Sequence, residues 1–93
     1  SPREIDKTCM MMIDAKIDIG DKDVEQLIEY KNLLKKKFPK SQITYVVAVL
    51  EEAKFKRELE GEGYIVVEDV RPGGKGVESF KEVVRNNLSQ CMP

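Results

Sequence analysis

The chain predicts an α/β fold: a single small domain of three main strands and three helices. Three observations predict it. Residues 11–19 alternate apolar and largely polar side chains with a period of two, the mark of a half-buried strand. Residues 43–50, ITYVVAVL, form a nearly continuous apolar run rich in β-branched side chains, as a central strand covered on both faces would. Apolar residues at helical spacing follow each strand, so strand and helix alternate along the chain. That order predicts parallel strands joined by right-handed crossovers, in two or three layers.

Residues 1–7, SPREIDK, are polar apart from Ile5 and predict a tail or a short N-terminal edge strand. The opening strand covers residues 8–19, TCMMMIDAKIDI. Met11, Ile13, Ala15, Ile17 and Ile19 share one face, and Met10, Met12, Asp14, Lys16 and Asp18 share the other. In the plainest reading that charged row is simply the solvated side of a sheet. Gly20 breaks the pattern, and Asp21 or Asp23 can cap the helix that runs through residues 24–38. Val24, Leu27, Ile28, Leu34 and Phe38 make its apolar stripe. Lys35, Lys36 and Lys37 suit the negative end of its dipole, and Pro39 stops it. After the central strand, a helix over about residues 51–60 turns Ala53, Phe55 and Leu59 inward and ends at Gly61 or Gly63. Residues 64–68, YIVVE, are the third strand. The loop RPGGKG at 71–76 leads to a last helix with Val77, Phe80, Val83, Val84 and Leu88 on one stripe, and residues after Ser89 read as a tail.

Ninety-three residues allow one modest core, and 41% apolar with 35% charged residues describes a globular chain. A net charge of −1 argues against a general nucleic-acid coat protein, for which a basic domain is expected, but leaves room for an enzyme that meets DNA through a local patch. Histidine is absent, which removes Ser-His and Cys-His nucleophiles and most zinc sites. Two cysteines, Cys9 and Cys91, are too few for a disulfide framework. Free thiols in a reducing compartment are therefore expected, hence a cytoplasmic or nuclear location. No apolar run approaches a bilayer span and no signal-peptide pattern opens the chain, so no membrane association is expected. The abrupt Ser1-Pro2 start reads as a cut, which would leave part of a longer protein outside this chain.

Asp14-Ala15-Lys16 is the first place where chemistry can reside. A carboxylate suits Mg²⁺, a hard cation that wants oxygen ligands. A lysine two positions on shares the same strand face and can position a water or balance charge on a phosphodiester, the minimal apparatus of metal-assisted phosphate-ester hydrolysis. The same triplet pattern recurs at Glu29-Tyr30-Lys31 and Glu52-Ala53-Lys54, but on expected helices, where residues two apart do not share a face. Gln26 and Tyr30 add to the first copy: they lie one helical turn apart and begin ten residues after Lys16.

On IDAK at 13–16 and QLIEY at 26–30, the chain resembles the PD-(D/E)xK nuclease superfamily, and in particular its RecB-like branch. A following apolar strand, and a helix ending in glycine before a short β-rich segment (ELEGEGYIVVE at 58–68), extend the likeness over roughly residues 4–68. The resemblance implies a restriction-endonuclease-like core with a mixed sheet, truncated or degenerate at its start. It implies Asp14 as metal-ligating acid, Lys16 as catalytic lysine, the Ala15 carbonyl as a further ligand, and Gln26 and Tyr30 in support. The family's earlier acid has one candidate here, Asp6, separated from Asp14 by seven residues without a Gly, Asn or Pro turn signal. Mg²⁺ or Mn²⁺ is the implied cofactor. The implied partners are DNA, flanking domains or another protein, and a second copy in a homodimer.

Two other classes compete. A non-catalytic interaction module would use an open sheet edge or the lysine-rich helix. A small phosphate- or nucleotide-binding domain would use RPGGKG, whose backbone N–H groups and Lys75 can meet phosphate, although it lacks the Gly-Lys-Ser/Thr ending of a P-loop. A flexible β–α connection is the plainer account of that loop. The lysines at 35–37, 40, 54 and 56 with Arg57 read as a solvated face interleaved with glutamates, or as a phosphate-contacting patch.

Overall fold

The computed structural model describes residues 9–91, with only the backbone of residue 91. The elements run β1 (Cys9–Lys16), α1 (Asp21–Lys37), β2 (Gln42–Val49), α2 (Lys56–Gly61), β3 (Tyr64–Val67) and α3 (Gly76–Cys91). The strands lie in the order β1-β2-β3, and both neighbouring pairs are parallel. Small size, α/β class and three strands alternating with three helices thus follow the sequence pattern. Among the described residues the sheet is wholly parallel, which corrects the mixed sheet that the family resemblance implied.

Register decides which side chains meet which helix. Asp14 lies opposite Val47 and Lys16 opposite Val49. Tyr45 and Val47 in turn lie opposite Tyr64 and Val66. These residues share one face, and α1 and α2 cover it, as two successive crossovers of the same hand require. Leu27 and Leu59 pack there with Ile19, Tyr45, Val47, Val49 and Tyr64. Leu27 and Leu59 are fully buried, and each contributes roughly 1.5–3 kcal/mol of hydrophobic stabilisation. Tyr64 crosses the layers by donating its hydroxyl to the Leu27 carbonyl at 2.5 Å. α3 meets the other face, where Thr44 Oγ1 donates to Asn87 Oδ1 at 2.6 Å.

The two faces of β1 depart from expectation. Asp14 and Lys16 are half-buried on the α1 side, whereas Ile13, Ala15 and Ile17 are exposed. Crossover geometry is the reason: α1 must return over the sheet to reach β2, and it does so on the charged side. The strand also ends at Lys16, so Ile19 reaches the core from the connection to α1 and not from the sheet.

α1 begins at Asp21 with Gly20 in the cap position, and Asp23 reaches back to accept the Gly20 N–H at 2.8 Å. α2 starts five residues later than its sequence pattern suggests. The Ala53 N–H donates to Glu68 Oε2 at 2.7 Å, the Asp69 N–H donates to the Glu51 carbonyl, and Phe55 takes a left-handed conformation with φ 60°. These ties to the end of β3 hold residues 51–55 out of the helix. α3 continues to Cys91, past the expected tail boundary. Cys9 is disulfide-bonded, which corrects the expectation of free thiols. No helix among the described residues is long and apolar enough to cross a membrane.

Candidate functional site

Strand periodicity sets Asp14 and Lys16 side by side, and the return of α1 lays Gln26 and Tyr30 over them. The four line one surface cleft of about 400 Å³, walled by Met12, Ile13, Leu33 and Leu34. Gln26 and Tyr30 are exposed on α1, one turn apart, and frame the mouth. Ala15 lies between the two charged residues in sequence but turns its side chain to the opposite, exposed face. Asp6 lies outside the described residues.

Lys16 is the centre of the charge arrangement. Its Nζ is 3.3 Å from Asp14 Oδ2 and 3.5 Å from Asp23 Oδ1. Burial alone would pull the Lys16 ammonium down, but the two carboxylates outweigh it and hold its pKa above the ordinary lysine value. The Asp23 carboxyl is held below its ordinary range, first by the hydrogen bond from the Gly20 N–H and then by Lys16. Behind the cleft, burial pushes the Tyr64 phenol up to about 12, with the charges of Asp14 and Tyr45 adding to the shift. Asp23 is the site residue that sequence spacing missed. It reads as a helix cap; Gly20 takes the cap position, Asp23 accepts the Gly20 N–H from the third position of the helix, and its second oxygen reaches Lys16.

Among the described residues no group of three or more acidic, histidine or cysteine side chains is placed to hold a metal. A divalent ion that keeps several waters needs only one or two protein carboxylates together with substrate phosphates. One carboxylate, Asp14, lines the cleft, which suits only that sparse mode of binding and not an all-protein cage.

The RPGGKG loop is organised around a carboxylate. The Lys75 N–H donates to Asp69 Oδ2 at 3.0 Å, Arg71 Nε lies 2.7 Å from Asp69 Oδ1, and the Gly76 N–H donates to the Asp69 carbonyl. The adjoining hollow of about 350 Å³ is lined by Glu51, Glu52, Glu68, Asp69 and Arg71. Backbone donors already engaged, and four carboxylates around one guanidinium, make a poor cradle for phosphate. The basic residues do not act as one patch. Lys31 donates to the Glu62 carbonyl and lies 5.5 Å from the centre of the Tyr45 ring, and Lys56 pairs with Glu68 at 3.2 Å. Lys35, Lys36 and Lys37 stand exposed at the end of α1. Comparison with family models, with curated proteins and with solved structures returned no match.

Proposed function

We propose that this chain is a nuclease-like domain of the PD-(D/E)xK type, which binds DNA phosphodiesters at the Asp14–Lys16 cleft and hydrolyses them with a divalent ion. The observation that carries this proposal is convergence: Asp14, Lys16, Gln26 and Tyr30, singled out in the sequence by strand-face spacing and by the family resemblance, line one cleft although they come from two elements. Asp14 and the Ala15 carbonyl would hold Mg²⁺ or Mn²⁺, with Asp6 as the second carboxylate. When bound, the ion supplies Lewis-acid polarisation of a phosphoryl oxygen and a more acidic water.

The chain's own residues supply position and charge. Lys16 stays cationic between its carboxylates and balances charge on the phosphodiester as the ester bond breaks. Gln26 offers amide donors and an acceptor at the mouth of the cleft. Tyr30 offers a ring for a sugar or base and a hydroxyl for a phosphate. Lys35, Lys36 and Lys37 on the same helix meet neighbouring phosphates as point charges.

Calorimetric titration of Mn²⁺ into the wild type and Asp14→Ala tests the metal assignment, and cleavage of plasmid DNA by Lys16→Ala tests the lysine. The wild type should bind Mn²⁺ and lose it in Asp14→Ala. Lys16→Ala should retain the metal and lose cleavage by at least about 100-fold, the scale of losing one charge-stabilising group. Undiminished cleavage by Lys16→Ala would sink the mechanism.

A further inference from the structure

Among the described residues seven large apolar side chains stand exposed, and four of them flank one line, the outer edge of β1. Ile13 (44% exposed) lies on the face away from α1, and Ile17 (77%) follows just past the strand. Tyr30 (53%) and Leu33 (58%) rise on α1 above the opposite face, along the cleft. β1 is the terminal strand of the sheet, and among the described residues no other strand pairs with residues 10–16 on the side away from β2. The usual protections of such an edge are missing. The strand contains no proline, its register with β2 runs without a bulge, and its two charges are engaged with each other and with Asp23.

We propose that this edge is covered by a second copy of the chain, with β1 pairing antiparallel to β1 about a two-fold axis normal to the sheet. Such an axis keeps like faces together, and residues directly opposite each other share a face. Aligned about Ile13, residues 10–16 pair throughout. On one face Ile13 meets its counterpart and Met11 meets Ala15; on the other, Met12 meets Asp14 and Met10 meets Lys16. No like charges stand directly opposite, and the Asp14–Lys16 pair of each copy brings no net charge to the seam. The same rotation carries two α1 helices over the seam, with Tyr30 and Leu33 bordering it from both sides, and joins the two clefts into one trough. It is this self-complementarity that selects a second copy over an unrelated strand. The inference rests on the edge alone and does not require the nuclease reading, with which it competes for the Ala15 carbonyl. The Lys16 carbonyl faces β2, so that of Ala15 faces the edge and would enter the ladder.

Sedimentation equilibrium of the full chain over about a hundredfold concentration range tests it, alongside amide hydrogen exchange. The wild type should show a reversible monomer–dimer equilibrium, and exchange at residues 10–16 should slow as concentration rises. Ile13→Lys places two cations on the axis and should weaken the dimer at least about tenfold, with an unchanged far-UV spectrum confirming the fold. Ile65→Lys, at a similarly exposed site on β3 at the opposite edge of the sheet, should leave the dimer intact. A chain that stays monomeric throughout, its edge covered by its own N-terminal residues, overturns the proposal. So does a dimer that survives Ile13→Lys, or one whose β1 exchange is independent of concentration.

Discussion

A lysine ammonium between two carboxylates behaves unlike a solvated one, and Asp23 is the half of that clamp open to a clean test. Asp23→Asn keeps the size of the side chain and an oxygen for the Gly20 N–H, but removes the charge 3.5 Å from Lys16. Lys16 should then be acetylated severalfold faster by acetic anhydride, read by mass spectrometry against Lys37 as an internal reference. An unchanged rate would show that Asp14 alone restrains it. In the sequence, Asp23 carried only the signature of a helix start, because one carboxylate has two oxygens and only its capping use leaves a local pattern. Asp14, Lys16, Gln26 and Tyr30 were legible for the opposite reason: strand and helix periods fix which neighbours share a face.

At the scale of elements, long periodic segments announced themselves and short ones did not. α1 and the β2 run carry enough repeats to override any one contact. Residues 51–60 had helical composition, yet two backbone-level ties to the end of β3 and a left-handed Phe55 delayed the helix to Lys56. The start of α3 is set as tightly. Gly76 is buried where its N–H meets the Asp69 carbonyl, and a Cβ there would overlap the Glu68 carbonyl oxygen. Gly76→Ala must shift the β3–α3 junction and should cost about 1–3 kcal/mol or more in urea-unfolding stability. Wild-type stability in that variant would mean that the junction yields freely.

The face of β1 that turns inward is settled only by the whole molecule. Alternation in the strand states that two faces differ, and the path of α1 decides which one is covered. The charge network is likewise a property of the assembled chain. Asp23, Glu68 and Asp69 each accept a backbone N–H, from Gly20, Ala53 and Lys75 respectively, and each carboxyl is held below its ordinary value. A depressed carboxyl contributes stability that is full above its unfolded pKa and is lost as pH falls through the folded one. The urea midpoint should therefore hold from about pH 7 to about pH 5 and drop below about pH 4. At the alkaline end the sign reverses. Lys16 is raised and Tyr64 is pushed up to about 12, so the stability they lend is complete below their unfolded values and lost as pH rises beyond them. A midpoint that does not fall in acid would show that these three carboxylates are not held in solution.

The hydroxyl of Tyr64 on the Leu27 carbonyl spans thirty-seven positions of the chain. A ribosome releases Leu27 long before Tyr64, and the docked first helix gains this bond only after the third strand has left the exit tunnel. Until then α1 can cover β1 and β2 with its apolar stripe, but the Tyr45 and Tyr64 rings, 5.6 Å apart when folded, have not met. The order of synthesis thus makes the shortest strand in the sheet the one that completes the core.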